Sequence, residues 1–223
     1  MVKTTKPREP TKAPTEPKQP KAPKASKTSA AKAGIVSLKI TLRGAKPPIW
    51  RRILVRGGMT LGELHRAILA AMGWYGGHLH VFEIAGEEYG GRDRLDEISG
   101  FADEMDDIMD EKRVTLNAVI KSGVEKFTYT YDFGDDWQHV VAIERRLPAV
   151  DVSSYPACVA GARACPPEDC GGVWGYAELL EALADPAHPE HAEKIEWIGR
   201  RLDPDAFSIA AADKRLAAEF NRK

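Results

Sequence analysis

The chain contains no apolar run approaching 18 residues, so nothing in it reads as a membrane-spanning helix. Cysteine is scarce: there are three in 223 residues, all between Cys158 and Cys170. An odd number of thiols, with no charged and then apolar leader ahead of them, speaks against a disulfide scaffold and points to a reducing, cytoplasmic compartment. There is no Cys-x-x-Cys pair of the kind that zinc ribbons use, and no Ser, His and Asp elbow for acyl transfer. Gly171-Gly172 lacks the strand, Lys and Ser/Thr context of a phosphate loop.

Residues 1–34 lack aromatics, Leu and Ile altogether while holding six prolines. Such a segment cannot bury enough apolar surface to offset the entropy of ordering, and a disordered arm of extended, partly polyproline-like character is predicted. It carries nine basic residues, among them Lys12, Lys18, Lys21, Lys24 and Lys27, against Glu9 and Glu16, a surplus of seven positive charges. The remaining 189 residues have a net charge of −8, so a near-neutral total hides a basic arm ahead of an acidic body. An arm of this kind suits nucleic acid or an acidic protein through charge alone; the plainer alternative is a solubilising extension without a partner.

From Ile35 onward the pattern is that of one α+β domain, 35–223. Val36, Leu38, Ile40 and Leu42 alternate with polar residues as in a half-buried strand, and Ile49–Val55 returns after the Gly44–Pro48 turn. Thr60 and Glu63 have capping-box spacing; Leu61, Leu64, Ile68, Leu69 and Met72 then form one helical stripe that Gly73 ends. Leu79–Ile84 is a third strand. Strand, strand, helix, strand is the order of a ubiquitin-like half.

Acidic residues crowd 93–113, which reads as a solvated loop with one short helix. Phe127, Tyr129, Tyr131 and Phe133 then alternate into a hairpin, and a three-residue loop pairing Tyr131 with His139 is expected because it keeps each face of one character. The last third is helical: Tyr176, Leu179, Leu180 and Leu183 make a stripe, Asp185-Pro186 or His188-Pro189 begins a second helix, and Asp203-Pro204 a third that carries Ala212 and Leu216.

Four motifs, PPIWRR at 47–52, AMGW and HLHVF between Ala71 and Phe82, YTYDFGDDWQH at 129–139, and CVAGARACPPEDCGG with WGY from Cys158 to Tyr176, occur in the order found in the Ri-plasmid ORF-3-like family of plasmids, mobile elements and chromosomes. The chain resembles that family over about residues 35–220. The resemblance implies a compact α+β domain in a mobile-element setting and brings no established biochemical activity. Some members carry a resolvase label, which the residues here do not support. A serine recombinase needs a nucleophilic Ser among arginines near the N-terminus, where this chain has its Lys/Pro arm, and the His-x-x-Arg of tyrosine recombinases does not occur.

Chemistry is concentrated in Asp132, Asp135, Asp136 and His139 at the hairpin end, where carboxylates and an imidazole suit a divalent metal or a general base. Equally, His139 fits a core histidine and the aspartates fit turn residues. Cys158, Cys165 and Cys170 with His139 offer a second, less favoured metal set. Otherwise no cofactor is expected. Glu168 and Asp169 sit where they can cap the next helix, or belong with Trp174 and Tyr176 to a recognition loop whose anchor is Trp174. Tyr129 and Tyr131, with Trp137 beside them, resemble a base-stacking platform in type, and Arg51, Arg52, Arg145 and Arg146 a local basic patch, but the body's negative charge opposes nucleic acid there. His78 and His80 open a strand on one face. The first expectation is therefore a non-enzymatic binding module that recognises an as yet unidentified protein partner; the alternatives are a metal-dependent hydrolase or nuclease, and a protein that assembles through its C-terminal helices.

Overall fold

A computed structural model describes residues 34–91, 108–148, 154–199 and 201–221. The basic arm up to residue 33 and most of the acidic stretch, 92–107, lie outside the described residues.

The alternation at the start of the domain forms β1, Ile35–Leu42, and the PPIWRR motif runs into β2, Trp50–Arg56. Helix α1, Leu61–Met72, follows with both halves of its capping box made: Thr60 Oγ1 accepts from the Glu63 N–H at 3.2 Å, and Glu63 Oε2 accepts from the Thr60 N–H at 2.9 Å. Gly73 stops it in the left-handed region at φ 108°. Then come β3, His80–Ile84; β4, Glu87–Gly90; β5, Met109–Asp110; a single 3-10 turn, Glu111–Arg113; and α2, Leu116–Lys121. The aromatic hairpin is β6, Lys126–Tyr131, and β7, Trp137–Leu147, followed by β8, Ala157–Ala162. Helices α3, Gly172–Ala184, α4, His191–Ile198, and α5, Ile209–Glu219, complete the mixed α+β fold.

All eight strands form one sheet in the order β5-β4-β3-β6-β7-β1-β2-β8, antiparallel except between β4 and β5. The ubiquitin-like comparison extends to element order: the β6–β7 hairpin lies between β1 and β3, and β1 pairs with β7 antiparallel. The core gathers on one face, where Leu38, Ile40, Ile53, Phe82, Tyr129 and Trp137 meet the apolar stripe of α1.

Three local expectations are corrected. The hairpin loop has five residues, not three: Tyr131 pairs with Trp137 and Tyr129 with His139. Asp132 causes this. At φ 58° it leaves the strand, its Oδ1 accepts the N–H groups of Gly134 and Asp135 at 2.9 and 3.4 Å, and its carbonyl accepts from the Asp136 N–H at 2.7 Å. The slip is two residues, so the aromatic and polar faces stay as expected while Phe133 becomes exposed. None of the three proline pairs opens a helix. Residues 186–189 form the turn ahead of α4, and α5 begins after Ser208, whose Oγ accepts from the Ala211 N–H. Finally, Glu111 is buried instead of solvated, although it belongs to the acidic stretch.

Candidate functional site

The predicted hairpin set does not come together around one point. Asp132, Asp135 and Asp136 line the loop, but His139 points to the core face, fully buried, with its ring 5.4 Å from Trp74 and 5.5 Å from Tyr129. Neither of its ring nitrogens has a hydrogen-bond partner among the described residues. Burial pushes its pKa down to about 4, because a charged imidazole would lose its hydration there. Tyr129, Tyr131 and Trp137 are likewise fully buried, so none offers a stacking surface. The Tyr131 hydroxyl donates to Glu168 Oε1 at 2.6 Å.

The three cysteines do not assemble with His139 either: among the described residues, the ligand-type side chains that cluster are His78, Asp132 and Asp169. Burial raises the pKa of all three thiols, that of Cys170 to about 12. Arg51 is no surface patch. It turns into the core, donates to the carbonyls of Ala71, Trp50 and Ala162 at 3.2, 2.9 and 2.9 Å, and stacks on Phe207.

Glu168 and Asp169 do not cap α3. Gly171 is its N-cap without a side-chain bond, and Asp135 Oδ2 approaches from the hairpin loop to accept the Gly171 N–H at 3.3 Å. The loop and helix fit so closely that a Cβ on Gly172 would lie 2.2 Å from the Asp135 carbonyl oxygen. Glu168 instead takes the Tyr131 hydroxyl and the Tyr75 N–H, at 2.6 and 2.9 Å. Asp169 reaches His78 Nε2 at 3.2 Å while Asp132 Oδ2 lies 3.4 Å from Nδ1 of the same ring. His78 and His80 thus diverge. His80 faces inward, its Nε2 2.7 Å from Glu111 Oε2.

Two clefts flank these loops. One, of about 600 Å³, lies between the β1–β2 turn and the start of α3, with Arg43, Lys46, Asp136 and Tyr176 on its walls. Trp174, 84% exposed, stands in its lining. The other, about 500 Å³, is bordered by Trp74, Tyr75, Glu168, Trp197 and Phe207.

Of the far face of the sheet, sequence reasoning named Arg52 and Arg145 in a basic patch but missed Lys39 and Trp50 beside them. Ladder pairing puts Lys39 beside Arg52 and Ala142, Thr41 beside Trp50 and Val140, and Lys126 beside Ala142, all opposite the core. Trp50 is only partly buried there, and two cations sit over its ring, Lys39 Nζ at 5.0 Å and Arg52 Cζ at 5.2 Å from the centroid. Arg56 and Arg145 extend the basic surface; Glu83, Glu88 and Glu144 are its acids, and Glu144 is paired with Arg52 at 2.6 Å. Much of the body's negative charge resides instead in 92–107, which carries seven acidic residues and two basic ones. The available signal was the polar parity of β1, β2 and β6, which net charge obscures.

A family model described as plasmid pRiA4b ORF-3-like protein matches residues 34–211. Uncharacterized protein y4hQ of Sinorhizobium fredii (strain NBRC 101917 / NGR234) is 42% identical over 196 residues, covering 86% of this chain and 96% of the relative. The crystal structure of MM3350 from Methanosarcina mazei Go1, a protein of unknown function, superimposes with a TM-score of 0.70 at 38% identity, over 80% of this chain and 97% of the other. The chain therefore belongs to the plasmid pRiA4b ORF-3-like family.

Proposed function

We propose that this member of the plasmid pRiA4b ORF-3-like family is a non-enzymatic accessory module that binds single-stranded nucleic acid. The observation that carries the proposal is Trp50, partly exposed on the sheet with Lys39 and Arg52 over its ring. An open antiparallel sheet with an aromatic among cations combines the two elements of strand-tolerant recognition, a π-face for a base and positive charge for the phosphates beside it. Thr41, Thr128 and Thr130 add hydroxyl donors at neighbouring ladder positions. The Lys/Pro arm contributes sequence-independent attraction through its seven surplus charges.

The test is fluorescence anisotropy of a labelled oligo-dT strand titrated with the full chain at fixed salt. Trp50→Ala is expected to cost about 1–3 kcal/mol of binding, the worth of one stacked base. Undiminished binding by that variant would sink the sheet-face proposal. A protein partner in the cleft beside Trp174 is the second reading, favoured by the 84% exposure of that indole in a cleft lining. Loss of oligo-dT binding in Trp174→Ala with Trp50→Ala unaffected would move the nucleic-acid site there.

A further inference from the structure

His78, in the segment between α1 and β3, has a carboxylate at each ring nitrogen: Asp132 Oδ2 at 3.4 Å and Asp169 Oδ1 at 3.2 Å. Asp132 uses its other oxygen to hold the hairpin loop, so Oδ2 is left facing the imidazole. Among the described residues, neither aspartate pairs with a Lys or Arg; His78 is the only basic group opposite them. Glu168 lies in the same loop as Asp169, and its two oxygens accept from Tyr131 and Tyr75, with no cation in contact among the described residues. The three chains that meet here, residues 74–80, the hairpin loop and the Cys165–Gly172 loop, therefore bring together more negative charge than one imidazole can balance.

We propose that His78, Asp132 and Asp169 form a binding site for a divalent transition-metal ion. One ligand atom from each residue lies within 4.8 Å of the others. The 3.4 Å between Asp132 Oδ2 and His78 Nδ1 is the separation of neighbouring ligands around an ion whose bonds are about 2.0–2.2 Å long. With Nδ1 as the nitrogen ligand, Asp132 is already placed. Asp169 Oδ1 stands at the other nitrogen, Nε2, and its side chain, 69% exposed, has to turn towards the Nδ1 edge to share the ion. One imidazole nitrogen with two carboxylate oxygens suits Mn²⁺, Fe²⁺, Co²⁺ or Zn²⁺ better than Ca²⁺ or Mg²⁺, and the exposed side leaves positions for water. The ion neutralises the carboxylates and ties the hairpin loop to the loop that begins α3, fixing the wall between the two clefts. This site is distinct from the sheet face and stands or falls independently of nucleic-acid binding.

The experiment is isothermal titration of the metal-free full chain with Mn²⁺ and, separately, Zn²⁺. One equivalent of each is expected to bind. His78→Asn and Asp169→Asn each weaken both metals by at least about ten-fold. His191→Asn, which removes an imidazole from α4, leaves them unchanged. Asp132→Asn is avoided because that carboxylate also builds the loop. Thermal unfolding of both variants verifies that they are folded, and for the wild type alone the midpoint rises on adding metal. Absence of stoichiometric binding by the wild type overturns the proposal. Binding retained in His78→Asn overturns it as well, because the ion must then sit elsewhere.

Discussion

His65 of α1 and His80 of β3 lie face to face, ring centroids 3.4 Å apart and 4° from parallel. Each uses its outer edge for a different partner: His65 Nδ1 is 2.8 Å from the Tyr129 hydroxyl, and His80 Nε2 is 2.7 Å from Glu111 Oε2. The stack joins the helix to the sheet through polar groups that are all buried. Gly62 and Gly91 make room for Glu111, since a Cβ on either would approach Oε1 to 3.1 or 3.3 Å.

Removing the acid should therefore be costly. Glu111→Ala leaves the His80 nitrogen buried without its partner, and a loss of about 1–3 kcal/mol is expected in urea unfolding. Glu111→Gln keeps a hydrogen-bonding side chain of the same size and should lose less. Equal losses would show that the carboxylate itself is required, and that neither side-chain volume nor an amide hydrogen bond replaces it.

The contact of the hairpin loop with α3 gives a second prediction. Gly172 has φ 67° and its missing Cβ would meet the Asp135 carbonyl at 2.2 Å, whereas Gly86 has φ 88° and open space around it. Gly86→Ala carries only the left-handed backbone penalty, about 1–2 kcal/mol. Gly172→Ala adds a backbone clash that no side-chain rotation relieves, so its loss of stability should exceed that of Gly86→Ala in the same denaturant series. Equal midpoints would mean that the loop moves away from the helix at little cost.

How far these features could be read from the chain depended on their range. Thr60 and Glu63 are three residues apart, and the capping box they announce is formed. The alternation of β1 and β6 also gave the right faces, because side-chain parity survives a two-residue change of register. The change itself came from Asp132, whose carboxylate rewards a wider loop more than strand pairing does. Pro189 and Pro204 carry local helix-start signals, yet the helices wait for Glu190 and Ser208. Glu111 was concealed among acidic neighbours, and nothing short-range marks it as the partner of a histidine 31 residues earlier. The pairing of His78 with Asp169 is longer still, and only the folded loops bring them together.

Acid sensitivity follows from His139. Its folded pKa, near 4, lies below the ordinary histidine value of 6.5, so the unfolded chain takes up a proton that the folded one refuses. Stability is then full above the unfolded value and falls as pH drops from about 6.5 towards 4, by roughly 3 kcal/mol in all. His139→Phe removes this titration and two buried nitrogens without partners. Its unfolding free energy should vary less over that range than the wild type's. A variant with the same slope would place the acid sensitivity in other groups.

The arm and the sheet face are separable by salt. Each phosphate neutralised on a single strand contributes about −0.7 to the slope of log K against log salt. Replacing Lys12, Lys18, Lys21, Lys24 and Lys27 by Gln should make the slope shallower by up to about 3.5 if all five contact phosphate. Trp50→Ala removes stacking and no charge, so it should lower affinity at every salt concentration while the slope holds. The two sets of changes thus act on different features of the same titration. A shallower slope in Trp50→Ala would mean that Lys39 and Arg52 depend on the indole for their placement, and an unchanged slope in the lysine variant would leave the arm without a nucleic-acid role.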